Sequence, residues 1–250
     1  MIAPVAEVSD REGWRRLVAG LAEWTRGMDG ASEGAHVLES EGLVASVVPA
    51  ASERSVVNSV VYEDAAALQQ AYADLDAAYT EAWTVWVPDH DQETAAFLEG
   101  QGHVLDADPE AMVLDLDTVE RPPEPPAFDR EADPGSIGEL NDMAYGTPGS
   151  FTRALAQLAP REGLYAYTAG PGSCLLTLDH EDDCSIWFVA TDPAARGRGL
   201  AGALMAHALV DARERGRTTS TLQATDLGRP VYERLGYRSL GEIQMWERRS

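Results

Sequence analysis

Four of the five residues from 122 to 126 are proline. Proline lacks a backbone N–H and locks φ, so such a run interrupts any helix or central strand and reads as an extended linker, 122–126. It divides the 250-residue chain into a first part, 1–121, and a second, 127–250. With 44% of residues hydrophobic, each part has the apolar material for a core of its own.

The two parts carry a similar order of elements. In the first, apolar periodicity predicts a helix over 11–27, strands over 42–50 and 55–63, a helix over 64–82, a strand over 83–88, a short helix over 91–102 and a strand over 111–117. In the second it predicts helices over 136–146 and 150–159 and strands over 163–169, 173–179 and 184–191. A long helix then follows residue 199, with a strand over 219–225, a short helix over 229–236 and a strand over 242–248. When Gly102 is set on Gly236, "AFLEGQGH" falls on "PVYERLGY", each between two apolar strands. The fold class expected is α/β: two tandem copies of one mixed central sheet flanked by helices.

All 19 basic residues are arginine, against 42 acids, a net charge of −23. A surface this acidic repels nucleic acid and anionic membrane. The charge is uneven. Residues 196–250 hold ten arginines and six acids, so residues 1–195 carry −27. Acidity of this kind keeps a chain in solution, and it also attracts a cationic small molecule. No apolar run spans a bilayer and "MIAPVAEVSDREGW" lacks a signal-peptide pattern, so a cytoplasmic location is expected. Cys174 and Cys184 fall on consecutive hairpin strands about four residues out of opposition, too far apart for a disulfide.

Between the strand ending at Thr191 and the long helix lies Gly197-Arg198-Gly199-Leu200-Ala201-Gly202. Glycines at these spacings let backbone N–H groups approach an anion, and a helix N-terminus adds its positive dipole end. A Walker loop requires a lysine, and the chain has none. A dinucleotide fold places its first glycine directly after a strand, with several strand–helix units following. Here Asp192–Arg196 intervene and 24 residues remain after Asp226. With Arg196 included, the pattern Arg196-x-x-Gly199-x-Ala201 resembles the pyrophosphate loop of the GCN5-related N-acetyltransferases (GNAT). "PVYERLGY" is similar to that family's closing helix-turn. The resemblance covers residues 127–250 well and the first part in outline.

The resemblance implies acetyl transfer from acetyl-coenzyme A directly to the amine of a small molecule, with no metal. It implies a coenzyme site built from Val189, Ala190 and Thr191 of the strand, which pair with pantetheine and polarise the thioester carbonyl. Arg196, Gly197, Arg198, Gly199, Leu200, Ala201 and Gly202 would cradle the pyrophosphate, with Thr225 and Asp226 on the neighbouring strand end. Tyr232 matches the family's general acid. The acceptor site is expected around Asn141, Asp142, Tyr145, Ser150 and Phe151, with Asp142 and Tyr145 as its named candidates. The strand "CSIWFVAT" offers no acidic general base. In the first copy, Glu63 and Asp64 stand where the cradle would be and Leu98 stands at the tyrosine position, so that copy is expected to be inactive. A non-catalytic acyl-coenzyme A sensor is the alternative, and the oligomeric state is open.

Overall fold

The computed structural model describes residues 7–249. The helices are α1 (Asp10–Arg26), α2 (Ala65–Ala78), α3 (Gln92–Gly100), α4 (Gly138–Tyr145), α5 (Ser150–Ala154), α6 (Leu200–Glu214) and α7 (Arg229–Leu235). Six strands precede the proline run: β1 (His36–Ser40), β2 (Leu43–Val47), β3 (Ser59–Tyr62), β4 (Ala82–Pro88), β5 (Val104–Ala107) and β6 (Glu110–Asp115). Six follow it: β7 (Phe128–Asp129), β8 (Leu164–Ala169), β9 (Ser173–His180), β10 (Asp183–Thr191), β11 (Thr219–Ala224) and β12 (Arg238–Arg249).

These strands form one 12-stranded sheet, and its order explains how the halves are joined. In each half two strands run parallel across a helix: β3 beside β4, and β10 beside β11. The terminal strands are exchanged. β6, from the first half, pairs with β11 on one edge and with residues 238–242 of β12 on the other. Residues 243–249 of β12, from the second half, pair with β4 and with β5. The register shift between Ser239 and Gly241 is where β12 passes from one set of partners to the other.

Three cores fill the layers. One, under α1, α4 and α5, spans both halves, with Trp24 of α1 stacked on Trp187 of β10 at 4.7 Å between ring centroids. The opposite face is covered by α2 and α3 in the first half and by α6 and α7 in the second.

The stripe Leu200, Ala201, Leu204, Met205, Ala208, Leu209 and Ala212 predicts one buried face for α6. Instead Leu204–Ala212 is buried all round. The residues before and after the proline run lie over its outer side: Arg121 bonds Asp211 at 2.7 Å, and Phe128 packs on His207. Residues 55–58, expected as strand, form a turn. Asn58 is the cause, accepting from Val48 N at 2.7 Å and donating to the carbonyls of Ala51 and Arg54 at 2.9 Å each. Cys184 stands opposite Asp179, five residues from Cys174, and both cysteines are free and buried.

Candidate active site

Two parallel strands that stop pairing make a wedge. β10 and β11 pair only from Asp183↔Thr219 to Ser185↔Thr221 and then separate. Beyond that point β10 carries a bulge between Trp187 and Ala190, with Phe188 in the left-handed region at φ 52°. A bulge takes backbone groups out of the ladder and bends the strand. The carbonyls released there find side chains from α4: Asn141 Nδ2 donates to Phe188 O at 3.4 Å and Tyr145 Oη to Val189 O at 3.3 Å.

The wedge opens into two cavities that meet. The outer one, about 600 Å³, runs from Val189 and Thr191 along the loop Arg196–Gly202 to α7. Gly199 caps α6 at φ 75°, and Gly197 has φ 77°. A Cβ built on either would meet nothing within 4 Å, so the space above the helix N-terminus is open. The first-turn N–H groups of α6 face that end without intrahelical acceptors. Three guanidinium groups line this cavity, Arg196, Arg198 and Arg234. Arg196 and Arg198 rest on backbone carbonyls, of Ala144 at 3.0 Å and Ala194 at 3.2 Å. Among the described residues none of the three has an acidic partner, so their charge faces the groove. An open left-handed cradle, free helix N–H groups and unpaired cations together fit a pyrophosphate.

The inner cavity, about 570 Å³, is walled by both halves. The second half contributes Phe151, Trp187 and Phe188, and the first contributes Arg54, Val56 and Trp86. Tyr145, Val189, Thr225 and Tyr232 border both cavities. Tyr232 is buried, and burial pushes the pKa of its phenol up, with the nearby Tyr145 adding to the shift. Its hydroxyl therefore stays protonated at neutral pH. Asn141 is fully buried; its Nδ2 is engaged by carbonyls, of which Ile137 O lies at 3.0 Å, while its Oδ1 has no partner and the residue lines the inner cavity.

The expected site residues are placed as follows. Val189, Thr191, Thr225 and the whole loop from Arg196 to Gly202 line the outer cavity. Ala190 does not: it is buried opposite Cys174, and its carbonyl accepts from Ser173 Oγ at 2.9 Å. Asp226 borders the inner cavity instead of the outer one. Tyr145 and Tyr232 border both cavities. Asp142 is a correction. Its carboxylate takes Thr147 Oγ1 at 2.7 Å, Phe151 N at 2.9 Å, Thr152 N at 2.9 Å and Thr152 Oγ1 at 2.7 Å, which ties the start of α5 to α4 and leaves nothing for a ligand. Asn141 and Phe151 line the inner cavity as expected of the acceptor segment, whereas Arg54 and Arg234 carry no mark in the sequence pattern. The only signal for Arg234 is its place two residues after Tyr232 in the same short helix.

The N-terminus of α2 in the first half is closed to anions. Asp64 caps α2 and its carboxylate accepts from Ala66 N at 2.7 Å and Ala67 N at 3.1 Å, occupying the N–H groups that α6 leaves open. Leu98, at the tyrosine position, is buried in the core.

Residues 161–239 match the acetyltransferase (GNAT) domain. Among solved structures the chain is similar to a GCN5-related N-acetyltransferase from Kribbella flavida, with TM-score 0.60, 17% identity, and 97% of this chain and 96% of that one covered. It is similar to a GCN5-related N-acetyltransferase from Sphaerobacter thermophilus, with TM-score 0.57, 17% identity, and 97% and 94% covered. A tandem GNAT protein from the clavulanic acid biosynthesis pathway aligns with TM-score 0.57, 16% identity, and 98% and 97% covered. No curated protein sequence matches the chain.

Proposed function

We propose that this chain, which carries a GNAT acetyltransferase domain in its second half, is an N-acetyltransferase that moves an acetyl group from acetyl-coenzyme A to the amine of a small molecule. The observation that carries the reading is the meeting of the two cavities at Tyr232, Tyr145, Val189 and Thr225. A cationic groove suited to the coenzyme opens there onto an apolar chamber suited to an acceptor. When bound, acetyl-coenzyme A would supply the reactive thioester. Arg196, Arg198, Arg234 and the first turn of α6 hold its phosphates. Backbone freed by the bulge at Phe188–Val189 faces the carbonyl and polarises it. Asn141, whose Nδ2 donates to Phe188 O, holds the bulged strand in place beside the attacking amine. Tyr232, kept protonated by its burial, donates toward sulfur as the C–S bond breaks and the C–N bond forms, and the proton that leaves the attacking nitrogen returns to the phenol through solvent.

The first half is read as a second copy of the same fold without a coenzyme site, with domains 1–121 and 127–250 and the linker 122–126 between them. The repeated strand order, the exchanged terminal strands and the self-capped α2 support this. The test is acetyl-coenzyme A-dependent release of free thiol across a panel of amines, with the acetylated acceptor identified by mass. The sensor reading keeps one observation in its favour: the carboxylates of the inner cavity, Asp108 and Asp226, are exposed at its rim, and no histidine lines it among the described residues. Tight coenzyme binding with no thiol release for any amine would favour the sensor.

A further inference from the structure

The first half contributes to the inner cavity a guanidinium that makes no ion pair among the described residues. Arg54 sits on the turn that Asn58 holds, with its own carbonyl accepting from Asn58 Nδ2 at 2.9 Å, so its backbone is fixed. The adjacent Glu53 is committed elsewhere, accepting from Ser150 Oγ and Arg153 Nη2 at 2.6 Å each. Arg54 has no ion-pair partner among the described residues, and its Nε is buried without any hydrogen-bond partner. Its guanidinium lies 5.9 Å from the centroid of Phe151, which packs at 5.4 Å on Phe188 of the bulge. Around it the wall is apolar and aromatic: Val56, Trp86, Trp187 and Met245.

A half-buried guanidinium with an orphaned donor is costly to leave unmatched, because low dielectric magnifies both the penalty and the gain on pairing. The cavity already holds Asp108 and Asp226, but neither reaches ion-pair distance of Arg54. We propose that Arg54 binds a carboxylate on the acceptor, whose apolar or aromatic body lies against Phe151 and the two tryptophans. This rests on reading the inner cavity as the acceptor site, and it narrows the acceptor class to apolar amines carrying one carboxylate, such as aromatic amino acids. A planar guanidinium pairs with a carboxylate through two parallel hydrogen bonds, which a lysine ammonium cannot reproduce. One guanidinium with two acids at the rim suits a single negative charge better than a phosphate. The first half thereby keeps a function without a coenzyme site: it selects the acceptor.

The test uses product-like probes, so it does not depend on turnover. N-acetylphenylalanine and N-acetylphenethylamine differ only in the carboxylate, and each is titrated calorimetrically into the full-length protein with coenzyme A present. The wild-type protein should bind the carboxylated probe at least about tenfold more tightly. Arg54→Gln should weaken that probe about 10- to 100-fold and leave the decarboxylated one unchanged, whereas Arg54→Lys recovers part of the loss. Thermal unfolding of both variants checks that they fold. Equal binding of the two probes, binding of neither, or a carboxylate preference that survives in Arg54→Gln would overturn the proposal. Thiol release with phenylalanine is measured in parallel. Carboxylate-dependent binding without acetyl transfer would refute the enzyme reading and leave the role of Arg54 standing.

Discussion

Replacing Gly199 by valine separates two costs that a glycine loop combines. At φ 75° and ψ 9° the residue is left-handed, a conformation that costs an L-residue about 1–2 kcal/mol. The strain is the same with and without ligand, so it lowers stability and cancels from the binding constant. For a chain of this size 1 kcal/mol corresponds to roughly 2–4 °C in Tm, so the free variant should melt about 2–8 °C lower. Binding measures something else. No protein atom lies within 4 Å of the added Cβ, so the branched side chain enters the space assigned to the pyrophosphate. Losing two charge-assisted hydrogen bonds to the first turn of α6, at about 1.5–3 kcal/mol each, corresponds to an affinity loss of at least about 100-fold. Calorimetric titration with coenzyme A reads the second effect and thermal unfolding the first. Gly202→Ala is the stability control: its Cβ would make an ordinary 3.8 Å contact with Val231, and it should stabilise α6 by up to about 1 kcal/mol. A Gly199→Val protein that melts lower but binds coenzyme A with unchanged affinity would refute the placement of the phosphates.

Tyr232→Phe should lower kcat about 100-fold or more with little change in coenzyme affinity, since the hydroxyl acts only as the sulfur leaves; steady-state kinetics and calorimetry check it. Asp142→Asn should cost about 3 kcal/mol at neutral pH in urea unfolding, because the carboxylate accepts hydrogen bonds from α5 and its anchoring threonines. Burial opposes its charge, yet the hydrogen bonds from Thr152, Thr147 and Phe151 hold the carboxyl below the usual range. Its folded pKa is depressed, so this stability is complete above the unfolded value of about 3.9 and is lost as pH falls through the folded value. The difference between Asp142→Asn and wild type should therefore shrink in strongly acidic solution. Fragments 1–121 and 122–250 expressed separately should be unfolded or associated, and should assemble into one compact species when expressed together. A monomeric, cooperatively folding 122–250 fragment by sedimentation and urea unfolding would contradict this.

The parts of the site visible in the sequence are those whose geometry is local. The loop from Arg196 to Gly202, the helix behind it and Tyr232 on α7 are set by glycine spacing and helical period within one stretch of chain. Side chains that act across the fold are not visible in this way. Val56 and Val57 suggest a strand by composition, and only the carbonyls bonded by Asn58 show why the chain turns there. Asp142 looks like an acceptor ligand until α5 folds back onto it. Edge strands β1 and β5 lack a buried face and are exposed along most of their length, so no apolar alternation marks them. Arg54 becomes part of the cavity through packing between halves some hundred residues apart in sequence, as Arg153 on Glu53 illustrates.

The exchange of terminal strands ties the sheet of each half to a strand of the other. β6 fills the place between β11 and residues 238–242 of β12, where Met112, Leu114 and the buried Leu222 meet the core under α6 and α7. Removing the first half would expose both facing edges, two rows of unpaired backbone groups beside apolar side chains. The reverse holds for residues 243–249 of β12, whose Ile243 and Met245 enter the core shared by the halves while Trp246 packs against the core of the first half alone. Neither half closes its own sheet, so each depends on the other for the pairing of its edge strands. The same exchange carries Met245 to the wall of the inner cavity beside Trp86, so the strand that joins the halves also helps shape the chamber they share. On the proposed reading, acceptor recognition and coenzyme binding can then change separately: the first through residues such as Arg54 and Trp86, the second through the loop before α6.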